Sequence, residues 1–121
     1  MRIGDDIAQH LLALAVSSLG LAGSLPKNPA GRHVALQLVR AATGSGANYE
    51  EARAAESRAD FVHKLGVAAK EARETAFWLG LVHRAKWAPS PLDPAIREAN
   101  ELAAILGASM RTARQGGQRR K

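Results

Sequence analysis

The chain has 121 residues, of which 46% are hydrophobic, 4% aromatic and none cysteine. That is one domain's worth of chain with enough apolar content for a core, and it excludes both a disulfide framework and a thiolate metal site. The formal net charge is +6, but residues 111–121 hold five basic groups and no acid, whereas the rest hold 12 basic and 11 acidic groups, so the body is nearly neutral.

The first helix is expected from Ile3 to Ala22, because Ile3, Ile7, Leu11, Leu14, Ser18 and Leu21 recur at spacings of three and four. Its apolar run, Leu11 to Ala22, is about 12 residues long and reads as too short to span a bilayer. Asp5 and Asp6 ahead of it argue against a secretory signal. Gly23-Ser24 ends the helix and Leu25-Pro26-Lys27 connects it to the next.

The second helix is expected to start at Asn28 as N-cap with Pro29 at the first position, where its missing N–H is not needed. Val34, Leu38, Ala41, Ala42, Ser45, Tyr49 and Ala52 carry its inner stripe. Gly44 and Gly46 either break this helix or admit a close neighbour. The apolar phase persists through them, which favours the close neighbour with a bend.

The third helix is expected over Arg58–Lys86, capped by Ser57, with Phe61, Leu65, Ala68, Ala72, Thr75, Leu79 and Val82 as an unbroken seam. Three prolines between Pro89 and Pro94 forbid helix there. Asp93 then caps a fourth helix, with Pro94 first and Ile96, Ala99, Ala103, Leu106, Met110 and Ala113 on its face. Gly116-Gly117 is expected to stop it.

Short connections favour antiparallel neighbours, so the fold class is all-α, an antiparallel up-and-down four-helix bundle. It occupies residues 1–115, and residues 116–121 form a basic flexible tail. The basic stretch of residues 111–121 either aids solubility or lends sequence-independent affinity for phosphates through Arg111, Arg114, Arg119, Arg120 and Lys121.

Motifs for chemistry are sparse. A di-iron bundle needs Glu-x-x-His on two helices, and the nearest approach is Asp60-Phe-Val-His63. Gly44-Ser45-Gly46 lacks the strand of a nucleophile elbow, and no Gly-Lys-Ser/Thr follows it. His10, His33, His63 and His83 share no ligand spacing and read as surface or boundary residues. No metal, cofactor or catalytic residue is expected. Asn48, Glu51 and Glu74 with Arg40 or Arg73 are expected to form a polar network at the core boundary, structural in role; a carboxylate site around Glu51 and Glu74 is the enzymatic alternative. Phe77 and Trp78 are adjacent on one helix, so one fills the core and the other points outward, a candidate subunit contact.

Several segments together resemble a known family: Leu25-Pro26-Lys27, Leu36-x-Leu-x-Arg40-Ala-Ala, Ala47-Asn-Tyr-Glu-Glu-Ala52, Glu56-Ser-x-Ala-Asp60-Phe, Lys70-Glu-Ala-x-Glu74-Thr and Trp78-Leu79. They look like the bacterial four-helix-bundle proteins related to those encoded in large-subunit ribosomal RNA intervening sequences. The resemblance covers roughly residues 25–85. It implies a homopentamer with no enzymatic activity, and a relative among retroelement accessory proteins implies nucleic-acid binding. The expected function is therefore a non-enzymatic oligomeric bundle of the cytoplasm, with weak, sequence-independent affinity for RNA or DNA and no membrane partner. The alternative is a protein-interaction scaffold that ignores nucleic acid.

Overall fold

Four helices form where the apolar periodicity places them: α1 (Asp5–Ser24), α2 (Pro29–Arg53), α3 (Arg58–Arg84) and α4 (Asp93–Arg119). The structure is a computed structural model that describes the backbone of residues 4–119 and the side chains of residues 4–116. Local chemistry sets the starts. Asn28 accepts a hydrogen bond from the Gly31 N–H at 2.8 Å, and Ser57 accepts one from the Asp60 N–H at 3.1 Å. Each cap satisfies a donor that the first helical turn leaves open.

α1 runs two residues later than expected at its C-terminal end, and the expected start at Ile3 lies outside the described residues. The helix is also longer than the apolar run. At 20 residues it is long and apolar enough, by length and composition, to cross a membrane. In the bundle it buries Leu11, Leu14, Ala15 and Ser18 instead.

α3 stops at Arg84, two residues before the expected Lys86. The Lys86 N–H bonds the His83 carbonyl at 3.1 Å, and the Trp87 N–H bonds the Val82 carbonyl at 3.1 Å. With Lys86 at φ +61°, this is a Schellman stop made with lysine instead of glycine. Trp87 packs with Val82 beneath it, in a cluster that includes Leu25, Val34 and Leu92.

Asp93 is the first residue of α4, not its cap. The Leu92 carbonyl accepts the Ile96 N–H at 2.9 Å, and Leu92 is buried, so the turn is pinned one residue earlier. At the other end Gly116-Gly117 do not stop the helix, which continues to Arg119. Arg58 of α3 supports that last stretch. Its guanidinium donates to the Ala113 carbonyl at 3.0 Å and lies beside Gly116. A glycine pair weakens a helix by roughly 2 kcal/mol in total, an amount such docking offsets.

The bundle is up-down-up-down. α1 packs on α2, α2 on α3 and α3 on α4, while α4 meets α1 only sparsely and diagonal helices keep their backbones apart. The core carries the expected stripes. Leu11, Leu38, Leu65, Leu79 and Leu106 are at most 2% exposed, and a layer of Ala41, Ala42, Ala68, Ala72, Ala99 and Ala103 sits among them. Each buried leucine is worth roughly 1.5–3 kcal/mol, and the alanines let the helices approach closely. Thr75 and Ser45, both buried on the stripe, bond back to their own helices, at Glu71 O (2.8 Å) and Ala42 O (2.7 Å).

Gly44 and Gly46 do not break α2. A Cβ at Gly44 would lie 2.9 Å from Glu71 Oε2 on α3, so this glycine does admit a neighbour, a side chain rather than a backbone. At Gly46 a Cβ would meet only ordinary contact with Leu11.

Candidate functional site

The block Asn48-Tyr-Glu-Glu-Ala-Arg53 ties three helices together at one end of the bundle. Asn48 donates to the Gly44 carbonyl within α2 at 2.8 Å. The buried Tyr49 hydroxyl donates to the Gly4 carbonyl at 3.3 Å. Gly4 has φ +89°, and a Cβ there would stand 2.5 Å from that hydroxyl, so both backbone and space call for glycine. Arg53 donates to Asp5 at the start of α1 and to Glu50 at 2.9 Å, and its guanidinium lies 5.9 Å from the Tyr49 ring centre. Burial pushes the Tyr49 hydroxyl pKa up, and the nearby Arg53 charge partly counters this. Glu51 meets Lys64 of α3 at 3.1 Å. Each polar group in the block is used in a helix-to-helix or intrahelical contact, which fits a structural role.

The expected polar network of Arg40, Asn48, Glu51 and Glu74 is therefore divided between separate contacts. Asn48 and Glu51 have the partners just named, and Arg40, Arg73 and Glu74 are exposed. The group between them is Glu71, half-buried against Gly44. Loss of solvation pushes its carboxyl pKa up and Glu74 adds to this, while Arg40 and Lys70 pull it down. Its register was visible in the sequence, since Glu71 lies three residues after Ala68 and four before Thr75 on the seam.

A carboxyl that resists ionisation when folded leaves stability intact below its unfolded pKa. That stability is lost as pH rises through the unfolded pKa to the raised folded value. Glu71→Gln is thus expected to raise the melting temperature by about 2 °C at pH 7 and to leave it unchanged near pH ~3, as followed by circular dichroism. An equal gain at both pH values would show that the carboxylate charge is not the cause.

Among the described residues, two faces of the bundle expose apolar side chains. On the α1–α2 face, Leu12, Val16 and Leu19 are 57%, 60% and 50% exposed, one stripe of α1 beside a groove of about 420 Å³ floored by Leu11, Ala15 and Gly46. On the opposite α3–α4 face, Ala76, Phe77, Gly80 and Leu81 of α3 and Ile96 of α4 line a hollow of about 760 Å³. Phe77 is the outward aromatic, at 59% exposure. Trp78 is half-buried and joins both apolar clusters, edge-on to His33 at 5.9 Å and to Phe77 at 4.9 Å. The α1–α2 stripe could have been read from the sequence, because α1 is apolar nearly all round.

Arg111 and Arg114 are exposed on α4, with the Arg114 guanidinium 3.7 Å from Met110 Sδ. The helix backbone reaches Arg119, whose side chain lies outside the described residues, as do Arg120 and Lys121. His63 and Lys70 of α3, which the sequence reading did not place among the nucleic-acid contacts, line one hollow with Arg114. Among the described residues, no group of three or more His, Asp or Glu side chains is placed to hold a metal ion.

A family model described as 23S rRNA-intervening sequence protein matches residues 5–108, taking in α1 and more than half of α4 as well as the 25–85 stretch that carries the resemblance. Among solved structures, a protein of unknown function from the S23 ribosomal protein family of Bacteroides thetaiotaomicron is 30% identical, with a TM-score of 0.78. That match covers 88% of this chain and 96% of that one. No curated protein matches.

Proposed function

The chain belongs to the 23S rRNA-intervening sequence protein family, and from that membership we propose a non-enzymatic protein of the cytoplasm that assembles into a closed ring of identical copies and holds RNA or DNA weakly, without sequence preference. The observation that carries the reading is the pair of apolar patches on opposite faces. An isologous dimer uses one self-complementary patch, whereas two different patches on opposite sides suit head-to-tail contact, which makes a ring where the rotation between copies closes and a filament where it does not. Leu12, Val16 and Leu19 border the α1–α2 groove, and Phe77 borders the α3–α4 hollow, so the two patches differ in lining and in position. The occupant of each is a second copy of this chain, and the family resemblance implies five copies in all. The nucleic-acid part rests on exposed cations, whose weak phosphate contacts add through avidity when copies are gathered.

Light scattering of the full chain tests both parts. The expected mass is that of five 12.8 kDa chains, about 64 kDa, gaining the mass of a short RNA at low salt and losing it at high salt. A ring that ignores RNA leaves the protein-interaction scaffold, and a mass of one chain sinks the assembly.

A further inference from the structure

We propose that the hollow where the N-terminal half of α3 meets the C-terminal half of α4 seats a backbone phosphate of nucleic acid, through Lys70, Arg114 and His63. This rests on the nucleic-acid reading above and moves its contact from the chain's C-terminal end into the folded bundle.

The hollow has a volume of about 200 Å³ and is lined by His63 and Lys70 of α3 and by Met110 and Arg114 of α4. Gly66 shapes it. A Cβ at Gly66 would stand 2.9 Å from Met110 Sδ, so its absence lets Met110 settle onto α3. Met110 in turn steadies the Arg114 guanidinium at the rim, 3.7 Å from its sulfur. Arg111, one turn back, lies along Gly107, where a Cβ would be 3.4 Å from its guanidinium.

Lys70 and Arg114 at this hollow are exposed and hold no carboxylate in a salt bridge, although Lys70 also acts on the Glu71 carboxyl. Arg53, Lys64, His10 and His83 each face a carboxylate. Among the described residues, Lys70, Arg111 and Arg114 form no salt bridge, nor does Arg73, a turn beyond Lys70, and His63 adds a ring nitrogen that can hydrogen-bond an anion. Unpaired like charges repel one another, and a bound anion relieves that repulsion. A hollow this small suits one phosphate rather than a base. With no side chain set to read a base edge, the contact is independent of sequence.

The test uses the full chain, a labelled single-stranded RNA of about 20 nucleotides and DNA of the same sequence, with anisotropy read at about 50 and 200 mM salt. The K70E/R114E variant is expected to bind at least ~10-fold more weakly, with a salt slope shallower by about 2. The R97E/K86E control carries the same charge change away from the hollow and is expected to stay within about 3-fold of the parent, as is a chain ending at Gly116. RNA and DNA should lose affinity alike, because phosphates are common to both.

Equal losses in the hollow variant and the control would overturn the proposal in favour of bulk charge. Loss on truncation alone would overturn it in favour of the C-terminal residues, and binding of RNA only would overturn the phosphate assignment. Light scattering accompanies each variant. If K70Q/R114Q, which keeps polar side chains, breaks the assembly yet binds RNA as before, the hollow is a contact between copies and the proposal fails. A monomeric parent chain overturns the ring alone, and the same variants still decide the hollow.

Discussion

Replacing Gly31 with alanine is expected to lower stability by about 3 kcal/mol or more, a drop of roughly 10 °C in melting temperature. At an open helix position the same change stabilises by up to about 1 kcal/mol. The sign reverses here because a Cβ at Gly31 would stand 1.9 Å from the Pro26 carbonyl oxygen and 2.8 Å from its carbon. Both atoms are backbone. Pro26 has a fixed φ, and its neighbour Leu25 is only 2% exposed, packed with Val34, Val82 and Leu92. Pushing the connector outward would draw Leu25 from that cluster and strain the Asn28 cap on the Gly31 N–H. Gly20→Ala is the comparison, since nothing lies within 4 Å of a Cβ there. Thermal and urea unfolding of the two variants should move in opposite directions. A Gly31→Ala chain as stable as the parent would mean that the connector does not press on α2.

Glutamate at Val16 or at Phe77 is expected to reduce the proposed ring to single chains of 12.8 kDa while leaving the helical circular-dichroism signal intact. Both side chains are about 60% exposed, so neither change disturbs the core, but each places a charge in an apolar contact. The decisive result comes from mixing the two variants. In a head-to-tail arrangement V16E keeps its hollow and F77E keeps its stripe, so one sound interface remains between them. The mixture should form pairs of about 26 kDa and go no further. With an isologous contact, mixing would restore nothing. Ile105→Glu, on the α1–α4 face, is the control and should keep the full mass.

The helices were legible because burial imposes a period on them. Nearly every position of the expected stripes, from Leu11 in α1 to Ala113 in α4, is buried or half-buried. The ends of the elements were less legible. Lys86 takes a left-handed stop usually given to glycine, because Trp87 gains a place over Val82. Gly116-Gly117 does not end α4, because Arg58 reaches across from a residue 55 positions earlier. Local propensity is weak beside such contacts.

The candidate site followed the same division. Sequence alone established an all-α bundle, its N-caps at Asn28 and Ser57, the apolar seam of α3 and the family resemblance. Each of these depends on spacing within one helix or on a run of residue types. It also located the excess charge near the C-terminus, since charge counts need no coordinates. Only the tertiary structure decided that Phe77 faces outward while Trp78 turns in, that Glu71 rather than Glu74 lies against Gly44, and that His63 and Lys70 stand beside Arg114. Those facts depend on the rotation and offset of one helix against another. Side-chain volumes and glycine gaps across the interface set these, so no periodicity along the chain encodes them by itself.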